Sequence, residues 1–223
     1  DTSNNIVYNW KRAPNFFDVV AYTGNGTAGR TVSHNLGVAP EMMWVKKRDS
    51  SSNSNWSVYH KDLNGGTNSA EYYLRLETTN AETRNLGYWD STSPSDSAFT
   101  LGTQARVNSS GNTFIAYLFA SLDGISKVGS FTGDGTTDGS KVIDCGFTSG
   151  ARFILIKRSG GTGNWWVWDT VRGVQVGNDP VLGLNLNTAE TQYDWLDPDP
   201  SGFKVINPNT NNSGSNYIFY AIA

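Results

Sequence analysis

The sequence is poor in the side chains that build metal and redox sites. Its 223 residues include one cysteine, Cys145, and two histidines, His34 and His60. A single cysteine excludes an intrachain disulfide framework and a cysteine-rich zinc site. Neither histidine has a nearby cysteine or belongs to a His-Glu-x-x-His arrangement, so a zinc site would need ligands gathered from distant parts of the chain. We therefore predict no bound metal and no cofactor.

Charge is scarce as well. Asp, Glu, Lys and Arg make up 17% of the residues, against a usual share of about 25%. The 17 basic and 20 acidic residues give a net charge of -3 without any basic run, so the attraction for phosphate that drives nucleic-acid binding lacks its usual source. No apolar run approaches the ~20 residues that a membrane-spanning helix needs. We expect neither a nucleic-acid partner nor insertion into a membrane.

Aromatic residues and glycine are abundant instead, at 13% of the chain and 24 positions respectively. This balance is typical of aromatic strands joined by glycine-rich turns. The chain also repeats itself once. Tyr-Thr-Gly-Asn-Gly-Thr at 22–27 returns as Phe-Thr-Gly-Asp-Gly-Thr at 131–136, and Ala-Glu-Thr at 81–83 returns at 189–191. Because the spacing between matching stretches stays nearly constant over about a hundred residues, the pattern indicates a duplication.

We predict an all-β fold made of two tandem, internally duplicated β-sandwich-like units. The chain divides into a lead-in at 1–16, a first copy at 17–122 and a second copy at 123–223, and the lead-in is expected to pack on the first copy or on a neighbouring chain. Each copy has about the size of one small β-sandwich. Alternation and turn residues predict strands at 17–23, 30–35, 41–48, 55–60, 71–77, 98–102 and 112–120 in copy one, and at 125–132, 140–147, 151–158, 164–169, 181–186, 203–206 and 215–222 in copy two.

The repeated glycine motif is interpreted as a pair of hairpin turns. Asn25-Gly26 and Asp134-Gly135 are strong signals for a type I′ turn, which needs positive φ at both central residues. A phosphate-binding loop would need Gly-x-Gly-x-x-Gly before a helix, and neither motif is followed by a helical pattern. A calcium site at Asp134 and Asp138 has suitable chemistry but lacks the remaining ligand spacing of an EF-hand. The hairpin is therefore favoured over either ligand site.

Signals for catalysis are thin. There is no Gly-x-Ser-x-Gly elbow, and Ser33 points to the opposite face of its strand from the adjacent His34. A glycosidase needs two carboxylates that converge in space, and a sequence alone cannot reject such a pair. The candidate groups are Asp194, Asp197 and Asp199, or Asp169 and Asp179. Since an acid-rich loop is the simpler interpretation, we predict that the protein is not an enzyme.

The fourth strands of the two copies match on one side. Alternation places Trp56 and Val58 of copy one together, and it does the same with Trp165 and Val167 of copy two. Because both copies keep this pair of apolar positions, we predict that this side belongs to the core.

The other side of the fourth strand differs between the copies. It carries Tyr59 in copy one but Trp166 and Trp168 in copy two. Two neighbouring tryptophans on an outer face would form a platform that stacks on sugar rings, or they would be buried between copies or subunits, or in a second layer of core. Asp169 and Arg172 follow and either supply hydrogen bonds at the rim or form a structural ion pair. The candidate receptor-binding or glycan-binding residues are Trp166, Trp168, Asp169, Arg172, Tyr59 and His60.

Several stretches together carry a resemblance. The first half has Trp-Lys-Arg-Ala-Pro at 10–14, Phe-Phe-Asp-Val-Val at 16–20 and His-Asn-Leu-Gly-Val-Ala-Pro at 34–40. The second half has Trp-Asp-Thr at 168–170 and the closing Tyr-Ile-Phe-Tyr-Ala-Ile-Ala at 217–223. Over nearly its whole length the chain resembles a domain family of unknown chemistry that is found in tail-fibre and related virion proteins of bacteriophages, notably marine phages.

The resemblance implies a β-rich fold, a place in the tail fibre of the extracellular virion and recognition of the host surface. Tail fibres are usually homotrimers, so the implied partners are further copies of the chain, other virion proteins and a host polysaccharide or protein receptor. The resemblance supplies no catalytic or binding residues. We expect a tail-fibre module that binds a host-surface glycan or other receptor for adsorption. The alternatives are a purely structural decoration domain of the fibre or capsid and, less favoured, a depolymerase or glycosidase.

Overall fold

The computed structural model describes residues 6–49 and 54–223. Within these ranges it contains seventeen β-strands, two single-turn α-helices and two short 3₁₀ segments. Residues 1–5 of the predicted lead-in lie outside the described ranges. No helix in the described ranges is long and apolar enough to cross a membrane.

The first eight strands belong to copy one. They are β1 Phe17–Thr23, β2 Arg30–Ser33, β3 Met42–Lys47, β4 Ser57–His60, β5 Tyr72–Arg75, β6 Thr83–Arg84, β7 Ala98–Leu101 and β8 Thr113–Phe119. Helix α1 spans Ala105–Asn108, and the 3₁₀ segments span Leu63–Gly66 and Ser69–Glu71.

The remaining nine strands belong to copy two. They are β9 Ser126–Thr132, β10 Val142–Asp144, β11 Phe153–Arg158, β12 Trp165–Asp169, β13 Asp179–Gly183, β14 Thr191–Tyr193, β15 Leu196–Asp199, β16 Gly202–Val205 and β17 Asn216–Ile222. Helix α2 spans Pro208–Asn211.

The two copies have the same antiparallel topology. In copy one the large sheet has the order β1-β8-β3-β4-β5-β6, and β2 pairs with β7 in a small second sheet. In copy two the large sheet has the matching order β9-β17-β11-β12-β13-β14, and the small sheet contains β10, β16 and β15. Apart from the added β15, each strand has a counterpart at the same place in the other copy. The predicted all-β fold of two duplicated units is confirmed.

Every predicted strand has a counterpart in the structure, although many of the ends differ by a few residues. The sequence did not predict β6, β14 or β15. The first two are short and fully exposed, so they lack the apolar alternation that marks a strand. The third contains Pro198 within an Asp-Pro-Asp-Pro sequence, which favours a turn.

Each large sheet packs against other strands on both faces. One face packs on the small sheet of its own copy, where Met43 and Phe99 lie in the core of copy one and Ile154 and Phe203 in the core of copy two. The opposite faces of the two large sheets pack on each other and form a third core. Its buried members are Phe17, Met42, Trp44, Val58, Leu63, Leu74 and Phe119 from copy one, and Val128, Phe153, Leu155, Trp165, Val167, Ile218 and Tyr220 from copy two. We call this the shared core.

The lead-in contacts both copies at once. The ring of Tyr8 packs edge-on against Phe153 of copy two, with ring centroids 5.3 Å apart. The ring of Trp10 lies 6.2 Å from Phe17 of copy one and 5.8 Å from Phe153. The described part of the lead-in therefore bridges the copies, which is more than the expected packing on the first copy.

The type I′ hairpin predicted for the glycine motif is wrong. Within the motif, Gly26 and Gly135 have positive φ, whereas Asn25 and Asp134 are not among the described residues with positive φ. The strand that precedes the motif, β1, pairs with β8 rather than with β2. The motif therefore carries the chain from the large sheet to the small sheet, and its counterpart in copy two does the same.

A buried asparagine explains why the motif is repeated. The Asn108 side chain accepts a hydrogen bond from the Asn25 amide at 3.0 Å and donates to the Thr27 carbonyl at 2.9 Å. Asn211 binds the Asp134 amide and the Thr136 carbonyl in the same way. The motif is a structural clip in both copies.

The predicted alternative of a calcium site at this motif has no support. The Asp134 carboxylate accepts hydrogen bonds from Thr136 and from Asn211, and it lies 3.7 Å from the Lys141 ammonium group. These contacts occupy Oδ1 with hydrogen bonds and place a positive charge beside Oδ2, which opposes a cation there. Asp138 caps its own turn by accepting from the Ser140 amide at 3.0 Å.

Candidate functional site

An aromatic-lined groove lies between the lead-in and the inner face of the large sheet of copy one. Its volume is about 370 Å³, which falls in the roughly 300–1,000 Å³ range of small-molecule sites. We call it the aromatic groove. It is lined by Tyr8, Asn9, Trp10, Phe17, Val19, Trp44, Trp56, Tyr117 and Phe119.

The aromatic groove is open because copy two covers only part of this sheet. Trp165 and Tyr220 of copy two are buried in the shared core, whereas their counterparts Trp56 and Tyr117 in copy one are half-buried. The predicted core position of Trp56 is confirmed only in part, because Trp56 packs against the shared core but is partly exposed, whereas Val58 on the same side is completely buried. The uncovered part of the copy-one sheet keeps its aromatic side chains at the surface.

Some rings of the groove lie at small angles to each other, and others meet edge-on. The rings of Trp56 and Tyr117 are 5.7 Å apart and tilted by 33°, and Tyr117 and Phe17 are 6.2 Å apart and tilted by 15°. On the other side Trp10 meets Trp44 edge-on, at 6.4 Å and 85°. Broad, nearly parallel ring faces of this kind suit a ligand that has a flat apolar side.

The polar groups around the aromatic groove are mainly donors. The Lys46 ammonium group lies 5.5 Å from the centre of the Trp56 ring and donates to the Ser54 carbonyl. The indole N–H of Trp44 is buried and has no hydrogen-bond partner in the described part of the chain. Asn9 adds an amide to the lining, and the described residues of the lining include no Asp, Glu or His. The described lining therefore offers a ligand aromatic rings and hydrogen-bond donors, without a carboxylate or an imidazole.

The predicted residues Asp169 and Arg172 anchor the lead-in beside the groove. The Arg172 guanidinium donates from Nε to Asp169 Oδ2 at 2.7 Å, and the Tyr8 hydroxyl donates to the same oxygen at 2.9 Å. Arg172 also donates from Nη2 to the Tyr8 hydroxyl at 3.2 Å. Burial acts to raise the pKa of Asp169, but these donors outweigh burial and hold that pKa below its usual value. The pair is the structural ion pair that the sequence left as an alternative.

The predicted tryptophan platform is wrong for Trp168. This side chain is completely buried in the core of copy two, because the small sheet of β10, β15 and β16 covers that side of β12. Trp166 is half-buried, with its ring edge-on to Trp195 at 4.9 Å. It lines a cleft of about 150 Å³ with Arg158 and Asn164, which is smaller than most small-molecule sites.

Tyr59 and His60 are also buried, so neither is an exposed contact residue. The Tyr59 hydroxyl lies 3.4 Å from Ser69 Oγ, on the wall of a cavity of about 570 Å³ that Glu41 and Lys61 also line. His60 lies in the interface between the copies, where its Nδ1 accepts from the Asp62 amide at 3.1 Å. The six predicted residues therefore do not form one site.

The environment of His60 predicts a pH dependence of stability. Burial lowers the pKa of His60 from 6.5 to about 4 in the folded protein. Between these values the unfolded chain takes up the proton more readily than the folded chain. As the pH falls from 6.5 to about 4, we expect the free energy of unfolding to decrease by about 3 kcal/mol on account of this group, with no further loss from it below that range.

Urea unfolding of His60→Asn across this pH range measures the effect. Asparagine keeps an acceptor for the Asp62 amide but does not titrate, so the slope of stability against pH should be shallower than in the unmodified protein. His34→Asn is the matched control, because His34 is the other histidine and should leave most of the slope in place. If stability changed with pH equally steeply in His60→Asn and in the unmodified protein, His60 would not be the source of this pH dependence.

The acidic groups that the sequence left open lie elsewhere. Burial, together with the charges of Asp197 and Asp194, raises the pKa of Asp179 to about 6. Asp199 accepts from the Ser201 amide at 2.9 Å and stabilises a turn. No group of three or more His, Cys, Asp or Glu side chains among residues 6–49 and 54–223 is placed to hold a metal ion. None of these carboxylates is among the described residues that line the aromatic groove, although Asp169 binds Tyr8 at its edge.

The fold and the groove define a class of protein: an all-β module of two duplicated units around one shared core, with an open aromatic groove on the first. Residues 11–223 match the model of a family described as a domain of unknown function, DUF7483. The chain belongs to this family. No curated protein and no solved structure was found to match the chain.

The residues of the aromatic groove were missed because they are far apart in the sequence. Tyr8 and Trp10 come from the lead-in, Trp56 precedes β4, and Tyr117 lies in β8. A comparison of the copies gives no signal for the groove, because the partly exposed Tyr117 of copy one corresponds to the buried Tyr220 of copy two, and both are aromatic.

Proposed function

We propose that this protein is a non-enzymatic binding module of a phage tail fibre that attaches the virion to a glycan on the host surface. The observation that carries the proposal is the aromatic groove, in which the Trp56 and Tyr117 rings are partly exposed among further aromatic residues. A concave site lined mainly by aromatic side chains, with a few polar groups beside them, is the usual form of a ligand pocket.

The chemistry of the groove favours a sugar over a purely apolar ligand. A sugar ring has an apolar face that can stack on the Trp56 and Tyr117 rings and hydroxyl groups at its edge that need polar partners. Asn9 and Lys46 supply such partners beside the rings. Because the described lining contains no carboxylate or histidine, the groove supports binding without hydrolysis.

The virion setting of the proposal rests on the resemblance to phage tail-fibre domains. In a homotrimeric fibre each virion would present three aromatic grooves per fibre, and several weak sites acting together bind a surface much more tightly than one. Other virion proteins would be permanent partners in that assembly, and the host polysaccharide or protein receptor would be the transient one.

A screen of glycans and of host-envelope polysaccharide against the purified protein tests the proposal. We expect a glycan ligand whose affinity falls at least tenfold in Trp56→Ala, since a stacked tryptophan at a binding site is commonly worth 2 kcal/mol or more. The change removes half-buried apolar surface and should preserve the fold, which the urea unfolding midpoint checks.

Tyr193→Ala is the matched control. Tyr193 is an exposed aromatic residue on β14 of copy two, stacked on Trp195 at 4.4 Å and remote from the groove lining. It should leave glycan affinity unchanged. Equal binding by Trp56→Ala and the unmodified protein would contradict the assignment of the groove. A folded protein that binds no glycan and buries the groove in a trimer would favour the structural decoration domain instead.

A further inference from the structure

The lead-in wall of the aromatic groove is held in place by copy two. Tyr8 and Trp10 line the groove, but in the described part of the chain they belong to no strand or helix. The closest backbone attachment to copy one is at Ala13, whose amide donates to the Phe17 carbonyl at 3.0 Å. Between residue 13 and the start of the described chain, the wall depends on side-chain contacts.

Two polar contacts supply the directional part of those contacts. Arg12 Nε donates to Asp18 Oδ1 of copy one at 2.6 Å, and a network around the Tyr8 hydroxyl reaches copy two. The Tyr8 hydroxyl donates to Asp169 Oδ2 and accepts from Arg172 Nη2, at 2.9 Å and 3.2 Å. Arg172 is fixed in turn by Asp169, by the Val167 carbonyl at 3.2 Å and by Glu190 at 3.4 Å. Both charged side chains are about nine-tenths buried, so water competes little for these bonds and they are stronger than exposed ones.

The network also stabilises the turn that follows β12, where Asp169 Oδ1 accepts from the Arg172 amide at 3.0 Å. Neither Asp169 nor Arg172 is among the residues that line the groove. The equivalent position in copy one is His60, which has no hydrogen bond to a lead-in residue in the described part of the chain. The anchor is therefore a feature of copy two alone, placed where the lead-in crosses it.

We infer that Asp169 and Arg172 are positioning residues of the groove, which act through Tyr8 to hold the lead-in wall against the ligand. The inference rests on the proposed glycan function for its binding consequence. Its structural consequence, a wall that loosens when the network is broken, is independent of any ligand. Copy two thereby contributes to a site whose lining comes from the lead-in and copy one.

Tyr8→Phe is the primary test, because it removes one hydroxyl and keeps the ring. Lys11 and Arg12 lie close to Tyr8 and Trp10 in the lead-in. Trypsin must bind several residues on each side of the bond that it cuts, so cleavage there measures how often the wall opens and frees this segment. Cleavage at a site that opens and closes rapidly follows the population of the open form. Losing a buried hydrogen bond to a charged group should raise the cleavage rate about tenfold, and the affinity for the glycan identified in the screen should fall several-fold.

The urea unfolding midpoint of the whole protein shows whether Tyr8→Phe loosens only the lead-in or destabilises the entire fold. Tyr193→Phe, which removes an exposed hydroxyl in copy two, is the matched control and should change neither cleavage nor affinity. Asp169→Asn should reproduce both effects of Tyr8→Phe. Cleavage of Tyr8→Phe at the unmodified rate would overturn the inference, and so would faster cleavage with unchanged glycan affinity. If the unmodified protein binds no glycan, the proposed function fails, while the cleavage rate still decides whether the network holds the wall.

Discussion

Replacing Trp168 by alanine is expected to lower the free energy of unfolding by about 3–5 kcal/mol. The side chain is completely buried among Ile154, Val181 and Phe203 in the core of copy two. Its removal leaves a cavity that the surrounding strands cannot fill, because β12 is paired on both sides. The urea unfolding midpoint of the variant measures the loss.

Val171→Ala is the control for Trp168→Ala. Val171 follows β12 closely in the chain and is 96% exposed, so its truncation should change stability by less than about 0.5 kcal/mol. The outcome that would contradict the account is a stable Trp168→Ala protein that has lost glycan binding. That result would restore the predicted outer platform.

Separating the two copies should have an even larger effect. Expressed alone, residues 123–223 would expose the copy-two half of the shared core, which comprises Val128, Phe153, Leu155, Trp165, Val167, Ile218 and Tyr220. Burial of one such side chain is worth about 1.5–3 kcal/mol, so their sum is comparable with the roughly 5–15 kcal/mol that stabilises a whole domain. We expect an insoluble or loosely packed product without cooperative unfolding.

Co-expression of residues 1–122 with residues 123–223 is the control for the separation experiment. In the described ranges no ladder of hydrogen bonds joins the sheets of the two copies. The two pieces should therefore assemble through the shared core and recover cooperative unfolding by circular dichroism. Independent folding of residues 123–223, with the midpoint of the whole chain, would show that the copies are separate domains and that the shared core contributes little.

Strand positions could be predicted from sequence because alternation and turn residues are local signals. The same alternation correctly paired Trp165 with Val167 on one side of β12. It could not tell that the other side, with Trp166 and Trp168, faces a small sheet. A strand that is apolar on both sides is compatible with an exposed platform or with two cores, and the choice depends on strands that lie far along the chain.

The site was harder to predict for a related reason. Trp56 and Trp165 are equivalent by sequence, yet one lines the groove and the other is buried. The two residues differ because copy two covers one part of the copy-one sheet and leaves another part open. That coverage depends on packing over the whole shared core. The sequence placed Asp169 at the rim of a Trp166 and Trp168 platform, whereas in the structure it binds Tyr8. Tyr8 lies 161 positions away, and no local pattern connects the two residues.

The indole N–H signals of the tryptophans provide the most direct test of the groove. In a two-dimensional NMR spectrum of the labelled protein, host-envelope polysaccharide should shift the signals of Trp10, Trp44 and Trp56, which line the groove, and leave those of the buried Trp165 and Trp168 in place. Shifts confined to Trp166 and Trp195 would place the ligand on copy two and contradict the account, and an unchanged spectrum at saturating polysaccharide would contradict glycan binding altogether.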